Sequence, residues 1–506
     1  MTMTHPGLPW AWGIAAGFIM FTLTMWTLFT PVSGRGPAGY LQLVKLPLLG
    51  SLIRFVSASP WPLLIIKVIM AGLFLLIIFA GLAGSRIPER NIATVLTWNI
   101  WWAGLIISVF FLGSAWCAVC PWDAIATWLV RRRLWRRAQP DHSLNVKVPR
   151  LLRGVWPALF MLVALTWLEL GVGITIDPHA TALLALFMVV TATVSLAIYE
   201  NKAFCRYVCP VGRTVGFYSQ LAPVELRPIN TAICAQCTTL ECYYGTATIE
   251  PCPTRLVMGR LQQNTYCVSC GNCVQSCPDR NVAWRLRPQS LEAIQTARPH
   301  LDEAWFMLCL LALTGFHGLT MMPFFEDWMS MLAALTGDSG RLLRSFSIML
   351  ILCLSIPVLI YTLSIGITAK LVRADIGFRK LFTGLAFTAL PLAFAYHLAH
   401  NLSHLVRETD GLGGLIANPL GIGTQPLSMM EKHIRHTSLL MSQDLLFALQ
   451  AGLVVFGFWI SLRVIQQRGN SLVNRAGWRL FPMILFVSAV SVYHLWLLMQ
   501  PMIMRM

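Results

Sequence analysis

The run Cys267-Val-Ser-Cys270-Gly-Asn-Cys273-Val-Gln-Ser-Cys277-Pro278 is the most informative stretch of this 506-residue chain. Its cysteines follow the spacing C-x₂-C-x₂-C-x₃-C and end at a proline. Thiolates at the first three positions of such a run bind three corners of a cubane 4Fe–4S cluster, and soft thiolate ligands suit iron–sulfur chemistry. The run therefore predicts an iron–sulfur centre.

A second set of cysteines is expected near this run. In bacterial ferredoxins with two clusters, the fourth cysteine of the run binds the other cluster. The chain supplies the remaining ligands upstream, as Cys234-x₂-Cys237-x₄-Cys242 and then Cys252-Pro. We assign cluster one to Cys252, Cys267, Cys270 and Cys273, and cluster two to Cys234, Cys237, Cys242 and Cys277.

Structural zinc and disulfide bonds are the other common roles of clustered cysteines. Zinc sites usually take two C-x₂-C pairs, and they require neither a third C-x₂ step nor two Cys-Pro endings. Disulfide bonds need an oxidising compartment, which the membrane orientation predicted below argues against. Iron–sulfur clusters are therefore the preferred interpretation.

The composition of the whole chain is that of a membrane protein. Hydrophobic residues make up 56% and charged residues 12%, against about 25% charged residues in soluble domains. The mean hydropathy is +0.65. Apolar stretches long enough to cross a bilayer lie at about residues 10–30, 61–84, 98–116, 154–173, 181–200, 304–323, 345–369, 381–406, 443–463 and 480–499.

These stretches predict a mainly α-helical, polytopic membrane protein with about ten spans and a bacterial-ferredoxin-like insertion that holds two 4Fe–4S clusters. The chain divides into three parts. Residues 1–200 form an N-terminal membrane domain of about five spans, and residues 201–303 form the iron–sulfur segment. Residues 304–506 form a C-terminal membrane domain, also of about five spans.

The distribution of basic residues predicts how the chain is oriented. With the amino terminus outside, basic residues in the short inner segments outnumber those in the outer segments by more than two to one. The arginine-rich run at 131–137 is the firmest anchor, and it suits contact with anionic membrane lipid. We therefore predict a bacterial inner membrane protein with both termini outside and the iron–sulfur segment in the cytoplasm. This distribution explains the net charge of +17 without nucleic acid binding.

Two further cysteine pairs stand at the inner ends of predicted spans. Cys117-Ala-Val-Cys120-Pro ends span three, and Cys205-Arg-Tyr-Val-Cys209-Pro ends span five. Four thiolates at the membrane surface could hold a third 4Fe–4S cluster. Structural or redox-active thiols are the alternative.

With these motifs the chain resembles the membrane-bound polyferredoxins, quinol-dehydrogenase-type iron–sulfur proteins that accompany periplasmic nitrate reductase and nitrous-oxide reductase. The resemblance covers about residues 98–290 and is most specific at Cys205-Arg-Tyr-Val-Cys209-Pro-Val-Gly. It implies electron transfer between the quinone pool or the cytoplasm and redox partner proteins, as part of a membrane complex. The first pair departs from the family pattern, because it reads C-x₂-C-P instead of C-x₃-C-P.

Five histidines fall near the outer ends of C-terminal spans. His397, His400 and His404 share one face of span eight, and His317 and His494 lie at a similar depth on spans six and ten. Ionisable residues inside spans are costly, so they are functional hypotheses by default. These histidines could bind a b-type haem, or they could line a quinone site and move the proton that accompanies an electron. Interfacial histidines bonded to neighbouring helices are the third interpretation.

Other residues near the membrane surfaces have simpler interpretations. Glu169 lies near the outer end of span four. Trp98, Trp101 and Trp102 are interpreted as belt residues at the membrane interface. The Met-rich tail is either a hydrophobic helix end or a soft-metal site, and it comprises Met499, Met502, Met504 and Met506.

Two functions follow from these patterns. The first is an electron-transfer subunit of an oxidoreductase, of the quinol dehydrogenase type, that moves electrons between quinol or an outer partner and cytoplasmic carriers. The second is an assembly or metal-handling protein whose clusters reduce a metal or a thiol while another enzyme's cofactor matures. Haem or quinone at the outer histidines favours the first, and metal binding by His400, His404 and the tail favours the second. No motif for nucleotide or acyl chemistry is present, and no catalytic side chain is predicted.

Overall fold

The computed structural model describes residues 4–30, 39–134, 137, 141–372, 376–408, 411–473 and 477–503. Met504 and Met506 of the tail and Arg136 of the arginine-rich run lie outside these residues. A helix lies at each of the ten predicted spans, and we number these helices in chain order: α1 Trp10–Phe29, α2 Trp61–Ala83, α3 Trp102–Leu112, α4 Trp156–Trp167, α5 Pro178–Ile198, α6 Leu301–Leu319, α7 Leu343–Val372, α8 Ala389–Glu408, α9 Gln443–Leu472 and α10 Phe481–Met499.

The number of membrane crossings depends on two helices. In the described residues, eight helices are long and apolar enough to cross a membrane. A ninth candidate is α6 with the helix Pro323–Thr336, a pair that bends by 99° and forms either a broken span or a re-entrant loop. The apolar helix at Trp156–Val172 is shorter than the others. Length and composition therefore give eight spans, or nine with the bent pair, where the sequence predicts about ten.

Shorter helical segments connect these helices. Further α-helical segments are Leu49–Ala58, Ile92–Thr94, Pro121–Arg131, Pro210–Tyr218, Thr231–Gln236, Glu241–Tyr244, Asn272–Ser276, Pro323–Thr336, Phe378–Leu385, Leu412–Ala417 and Met429–Thr437. Segments of 3₁₀-helix are Leu43–Lys45, Pro88–Arg90, Gly113–Ala118, Arg150–Leu152, Ile174–Ile176, Met258–Arg260, Ala386–Thr388 and Gly477–Leu480. The wider π-helical pattern occurs at Val95–Trp101, Leu168–Val172, Phe204–Val208 and Glu292–Thr296.

The two ends of the described chain meet on one side of the helices. Strand β1 (Thr4–His5) pairs antiparallel with the last strand, β5 (Met502–Ile503). The backbone N–H of Ile503 also donates to the carbonyl of Met321, just beyond α6, at 2.8 Å. We call this end of the molecule the histidine face and the opposite end, where the iron–sulfur segment lies, the cysteine face. The side of a membrane on which these ends lie stays a prediction.

The sheet of the iron–sulfur segment takes one strand from another part of the chain. Strands β3 (Val224–Pro228) and β4 (Val282–Leu286) are antiparallel, and β2 (Leu41–Gln42) pairs with the other edge of β4. The linker between α1 and α2 therefore contributes to the iron–sulfur layer. The predicted division into a membrane domain (residues 1–200) and an iron–sulfur segment (residues 201–303) does not include this pairing of β2 with β4.

Helix α8 lies at the centre of the membrane layer. In the most apolar 18 residues of its span, 94% are buried inside the protein, whereas the corresponding share is 17% for α1 and for α2. Protein surrounds this helix instead of lipid, so it can carry polar side chains such as His400 and Asn401 at low cost. The helix that bears three candidate histidines is thus the most enclosed one.

A buried charge network joins the iron–sulfur layer to the membrane helices. Glu225, Arg227, Arg287 and Glu292 are all buried, and Arg227 Nη2 lies 2.5 Å from Glu292 Oε1. Burial raises the pKa of Glu292, although Arg287 and Arg227 oppose the rise. Arg468 of α9 donates to the carbonyl of Glu292 at 2.9 Å. The segment that leads from the sheet to α6 is therefore held by α9.

Candidate metal centres and the adjoining cavity

The structure brings together the four cysteines of each predicted ferredoxin-type group. Set one consists of Cys252, Cys267, Cys270 and Cys273. These cysteines are close enough for their sulfurs to repel one another when they are charged thiolates. Set two lines a small cavity of about 30 Å³ and consists of Cys234, Cys237, Cys242 and Cys277. The assignment of these cysteines as cluster ligands and the clusters themselves stay predictions.

Amide N–H groups donate to several of these sulfurs. The backbone N–H of Leu256 donates to Cys252 Sγ, and that of Asn281 donates to Cys277 Sγ, each at 3.3 Å. The Asn281 side chain also donates to Cys234 Sγ at 3.3 Å, so one residue contacts two sulfurs of set two. Hydrogen bonds to sulfur favour the thiolate and tune the reduction potential of an iron–sulfur cluster. These surroundings therefore suit anionic sulfur ligands.

Burial opposes thiolate formation until a metal binds. It raises the pKa of Cys270 to about 12, and it also raises the pKa of Cys267. Cluster binding must therefore displace protons from these thiols. Among the described residues, no three His, Cys, Asp or Glu side chains are grouped as ligands of a single metal ion. A cubane cluster differs from a single ion because each of its thiolates binds a different iron.

The two remaining cysteine pairs meet at the cysteine face. Cys117 and Cys120 follow α3, Cys205 and Cys209 follow α5, and all four line one cavity of about 90 Å³. The backbone N–H of Gly212 donates to Cys209 Sγ at 3.2 Å. We call these four cysteines set three. Residues that are far apart in sequence therefore form a third possible ligand group at the ends of membrane helices.

Two lysines and two carboxylates line the cavity of set three, namely Lys67, Lys202, Asp123 and Glu250. Lys202 Nζ lies 2.5 Å from Asp123 Oδ2, and Asp123 Oδ1 lies 3.8 Å from Cys205 Sγ. A 4Fe–4S cluster with four thiolate ligands carries net negative charge, and nearby cations stabilise such charge. The two lysines could therefore stabilise a cluster on set three, while the two carboxylates oppose this effect.

Set one adjoins both other sets. Cys273 in set one is close enough to Cys242 in set two for the two thiolates to repel each other. Cys270 in set one also lines the cavity that contains all four cysteines of set three. We call this order, from set two through set one to set three, the row.

Arg213 contacts both set three and the residues that precede the cysteine run of set one. Its side chain is buried and donates to the carbonyl of Cys205 at 3.0 Å and to that of Thr265 at 2.6 Å. Its guanidinium also lies over the ring of Tyr266, 4.6 Å from the ring centre. Because Tyr266 precedes the cysteine run, this arginine fixes the run against the membrane-side cysteines.

A larger apolar cavity of about 330 Å³ adjoins set three, between α2, α3, α4 and α5. Its walls include five tryptophans, namely Trp98, Trp101, Trp102, Trp116 and Trp122. Trp116 and Trp122 also line the cavity of set three, so the two cavities share a wall. The first three tryptophans thus line a cavity, and their interpretation as belt residues at the membrane interface stays a prediction.

Few polar groups line the tryptophan cavity. The indole N–H of Trp98 donates to Thr181 Oγ1 at 3.0 Å. The indole N–H groups of Trp101 and Trp116 are buried, and within the described part of the chain they have no hydrogen-bond partner. Glu169 supplies a carboxylate. The cavity therefore combines an apolar wall with two donors that a ligand could satisfy.

Three of the five predicted histidines lie in a file that starts at this cavity. Glu169 Oε1 lies 3.8 Å from His317 Nδ1. The His317 ring packs edge-on against His400 with ring centres 5.1 Å apart, and His400 Nε2 lies 3.2 Å from His404 Nε2. We call Glu169, His317, His400 and His404 the histidine file. It connects the tryptophan cavity with the histidine face.

His397 and His494 lie outside this file. His397 Nδ1 is 3.2 Å from the hydroxyl of Tyr218, and its ring packs against Trp102. His494 is buried and stacks on Tyr396 with ring centres 4.4 Å apart. His397 and His404 share a helix face, but a rise of about 10 Å separates seven helical residues. They therefore contact different layers of the bundle.

The space among the histidines is small. The cavity lined by His317, His397 and His400 has a volume of about 40 Å³, whereas ligand pockets typically measure about 300–1,000 Å³. Haem binding by these histidines therefore stays a prediction. The tryptophan cavity, at about 330 Å³, falls in the range for a small-molecule ring.

Three of the four π-helical segments surround this arrangement. Trp98 and Trp101 lie in the first, Glu169 in the second and Cys205 in the third. π-Helical turns are rare and occur frequently at functional sites. They shift the positions of following side chains relative to an α-helix, so helical periodicity in the sequence did not indicate the cavity. The two Cys-Pro pairs were the sequence signal that pointed to this region.

Comparison with known proteins supports iron–sulfur chemistry in the membrane part. A family model described as a 4Fe-4S binding domain (Fer4_5) matches residues 94–138 and again residues 181–222. Each match contains one of the membrane-side cysteine pairs and the helix that begins at the following proline. Each of the two matched segments therefore contains two of the four cysteines of set three.

Two relatives match part of the chain. It is 32% identical over 91 residues to the Escherichia coli (strain K12) protein named "Putative electron transport protein YccM", which covers 18% of this chain and 23% of YccM. It is 26% identical over 194 residues to the uncharacterised protein MJ0749 of Methanocaldococcus jannaschii, which covers 38% of this chain and 70% of that protein. The match thus spans about a quarter of YccM. No solved structure matches the chain.

Proposed function

We propose that this chain is a membrane-bound electron-transfer protein that carries 4Fe–4S clusters on sets one, two and three. In this proposal it passes electrons between a quinol in the membrane and a redox protein at the cysteine face. The observation that carries the proposal is the row of three cysteine sets that ends beside the tryptophan cavity. When bound, such clusters take up and release single electrons, so they can divide the two electrons of a quinol.

The comparisons support the general class of this function. The 4Fe–4S binding domain matches both membrane-side pairs, and the printed name of YccM refers to electron transport. The resemblance to membrane-bound polyferredoxins supports the quinone pool as one partner and a larger membrane complex as the setting. A redox protein is proposed to dock beside set two, at the far end of the row.

The cysteine face is proposed to be cytoplasmic and the histidine face to lie outside the inner membrane. The excess of basic residues in the short segments on the cysteine side supports this orientation. Arg131 of the arginine-rich run is buried and pairs with Glu250 of the iron–sulfur segment at 2.9 Å. The run therefore has a structural role in addition to the proposed contact with anionic lipid.

Spectroscopy of the purified protein tests the proposal. Optical and EPR spectra are recorded before and after dithionite reduction, and iron, acid-labile sulfide and haem are quantified. Three clusters require about twelve irons and twelve sulfides per chain. About eight irons would remove set three from the proposal, and absence of any iron–sulfur signal would overturn it. Clusters that exchange no electrons with quinol would favour the maturation or metal-handling function instead.

A further inference from the structure

The tryptophan cavity has the size and polarity expected of a site for an aromatic ring that bears two oxygens. Its volume of about 330 Å³ is enclosed largely by apolar side chains such as Leu165, Ala185 and Met188. Among the described side chains that line this cavity, Trp101 and Trp116 have buried indole N–H groups without a hydrogen-bond partner. Because nearly all buried donors in folded proteins are paired, these two groups indicate a ligand that supplies acceptor oxygens.

We infer that this cavity binds the head group of a membrane quinol and that the protons of the quinol leave along the histidine file. The inference rests on the proposed function and adds to it a binding site and a proton path. Oxidation of one quinol releases two electrons and two protons and leaves one quinone. The electrons pass one at a time to oxidised iron–sulfur clusters, and each proton passes to the Glu169 carboxylate and then to the His317 imidazole.

Electrons and protons leave the cavity in opposite directions. Trp116 and Trp122 separate the cavity from set three, which lies on the cysteine side. Glu169 lies 3.8 Å from His317, the first histidine of the file that leads to the histidine face. A carboxylate can accept the proton of a phenolic hydroxyl, and an imidazole can take up a proton on one nitrogen and release it from the other.

The contact between His400 and His404 continues this path. Their Nε2 atoms lie 3.2 Å apart, which is within hydrogen-bond distance. The side chain of His404 is partly exposed, whereas that of His400 is buried. A proton that reaches His400 therefore has a partner nearer the surface.

A lipid acyl chain is the alternative occupant of an apolar cavity inside a membrane. An acyl chain would leave the indole N–H groups of Trp101 and Trp116 unpaired, whereas the oxygens of a quinone accept hydrogen bonds from them. An acyl chain also cannot deliver electrons to the adjacent cysteines. A quinol head group is therefore the occupant that uses all the observed features of the cavity.

Binding is tested with decylubiquinone and the purified full-length protein in nanodiscs. Five tryptophans line the cavity, so a bound quinone is expected to quench part of the tryptophan fluorescence in a saturable manner. Decylbenzene, which has the same tail but no oxygens, is the control ligand. We expect Ala185→Phe, which fills the cavity, to weaken binding at least tenfold. Val190→Phe lies on the same helix at a side chain that is 49% exposed to the outside, and it should bind like the wild type.

Removal of one donor gives a milder variant that preserves the wall of the cavity. Trp101→Phe keeps an aromatic ring and loses the N–H, so it should bind decylubiquinone more weakly while its binding of decylbenzene stays unchanged. Thermal stabilisation by added ligand provides a second measurement that does not depend on fluorescence. Equal binding of decylubiquinone by the wild type, Ala185→Phe and Trp101→Phe would overturn the site.

The proton path is tested with decylubiquinol and an artificial electron acceptor. Glu169→Gln and His400→Phe should bind decylubiquinone like the wild type but oxidise decylubiquinol about 100-fold more slowly. His142→Phe, which replaces an exposed histidine outside the file, should leave the rate unchanged. Wild-type rates in the first two variants would overturn the path. Normal iron content and EPR signals without quinone binding would overturn this inference alone, and absence of clusters would overturn the proposed function.

Discussion

Sets one and two differ from set three in how the chain assembles them. All eight cysteines of sets one and two lie between residues 234 and 277. Set three combines the ends of two membrane helices, which meet only because α3 and α5 pack into one bundle. The ligands of a local set are brought together within one segment of the chain, whereas set three requires the ends of two membrane helices to lie side by side. The same ligand chemistry is thus reached by a short sequence motif in one place and by helix packing in the other.

Cys270→Ser is expected to have the largest effect, because it removes a ligand from the middle of the row. We expect the loss of about four irons per chain and of electron transfer, with membrane insertion unchanged. Iron content, EPR spectra and turnover with quinol measure the effect. Cys353→Ser, which changes a cysteine in α7 away from all three sets, is the matched control. Retained iron and activity in Cys270→Ser would refute the ligand assignment.

Cys209→Ser tests whether set three is independent of the other two. We expect it to lose about four irons while the EPR signals of sets one and two remain, because the bundle and the cysteine run at 267–277 fold separately. Electron transfer from quinol should stop, but reduction of the remaining clusters by dithionite should continue. Loss of all iron would mean that set three forms together with sets one and two, and it would refute the proposed difference in how they assemble.

Glu292→Ala tests the charge network that joins the local sets to the membrane helices. The substitution leaves Arg227 and Arg287 buried with one carboxylate fewer, and breaking a buried pair typically costs about 3–5 kcal/mol. The unfolding temperature should therefore fall, and thermal unfolding followed together with iron release measures this shift.

Arg90→Ala provides the comparison for this variant, because it breaks the partly exposed pair between Arg90 and Glu431. Such pairs contribute about 0–1 kcal/mol. Equal shifts of the unfolding temperature in Glu292→Ala and Arg90→Ala would show that burial does not govern the strength of the charge network.

The smallest expected effect is a pH dependence of the stability of the loop that contains Glu431, at the histidine face. Backbone hydrogen bonding from Ser428 and the side chain of Arg90 lower the pKa of Glu431 from 4.5 to about 2. The carboxylate therefore stabilises the folded loop above pH 4.5, and this contribution is lost as the pH falls towards 2. Hydrogen exchange in residues 412–437, corrected for intrinsic rates, should increase over that range. In Glu431→Gln the exchange should already be fast at pH 4.5; slow exchange there would contradict the assignment.

The positions of the helices could be predicted because they depend on residues close in sequence, and the assignment of sets one and two depends on residues of the same kind. Apolar stretches of about 20 residues predict helices that span a bilayer, and a helix lies at each predicted stretch. The spacing around Cys270 likewise predicts which thiols can reach one cluster, since a short loop brings them together. The bend between α6 and the helix Pro323–Thr336 was not predicted, because local hydropathy does not indicate a break between helices.

Contacts between distant parts of the chain were decided by the tertiary structure. The sequence indicated histidines at one depth, but helix packing separated His397 from the file that contains His400 and His404. The tryptophan cavity and the contribution of β2 to the iron–sulfur layer had no signal in local spacing. These features depend on how each helix is rotated and on which neighbours it meets. Hydropathy and cysteine spacing along one segment determine neither of these.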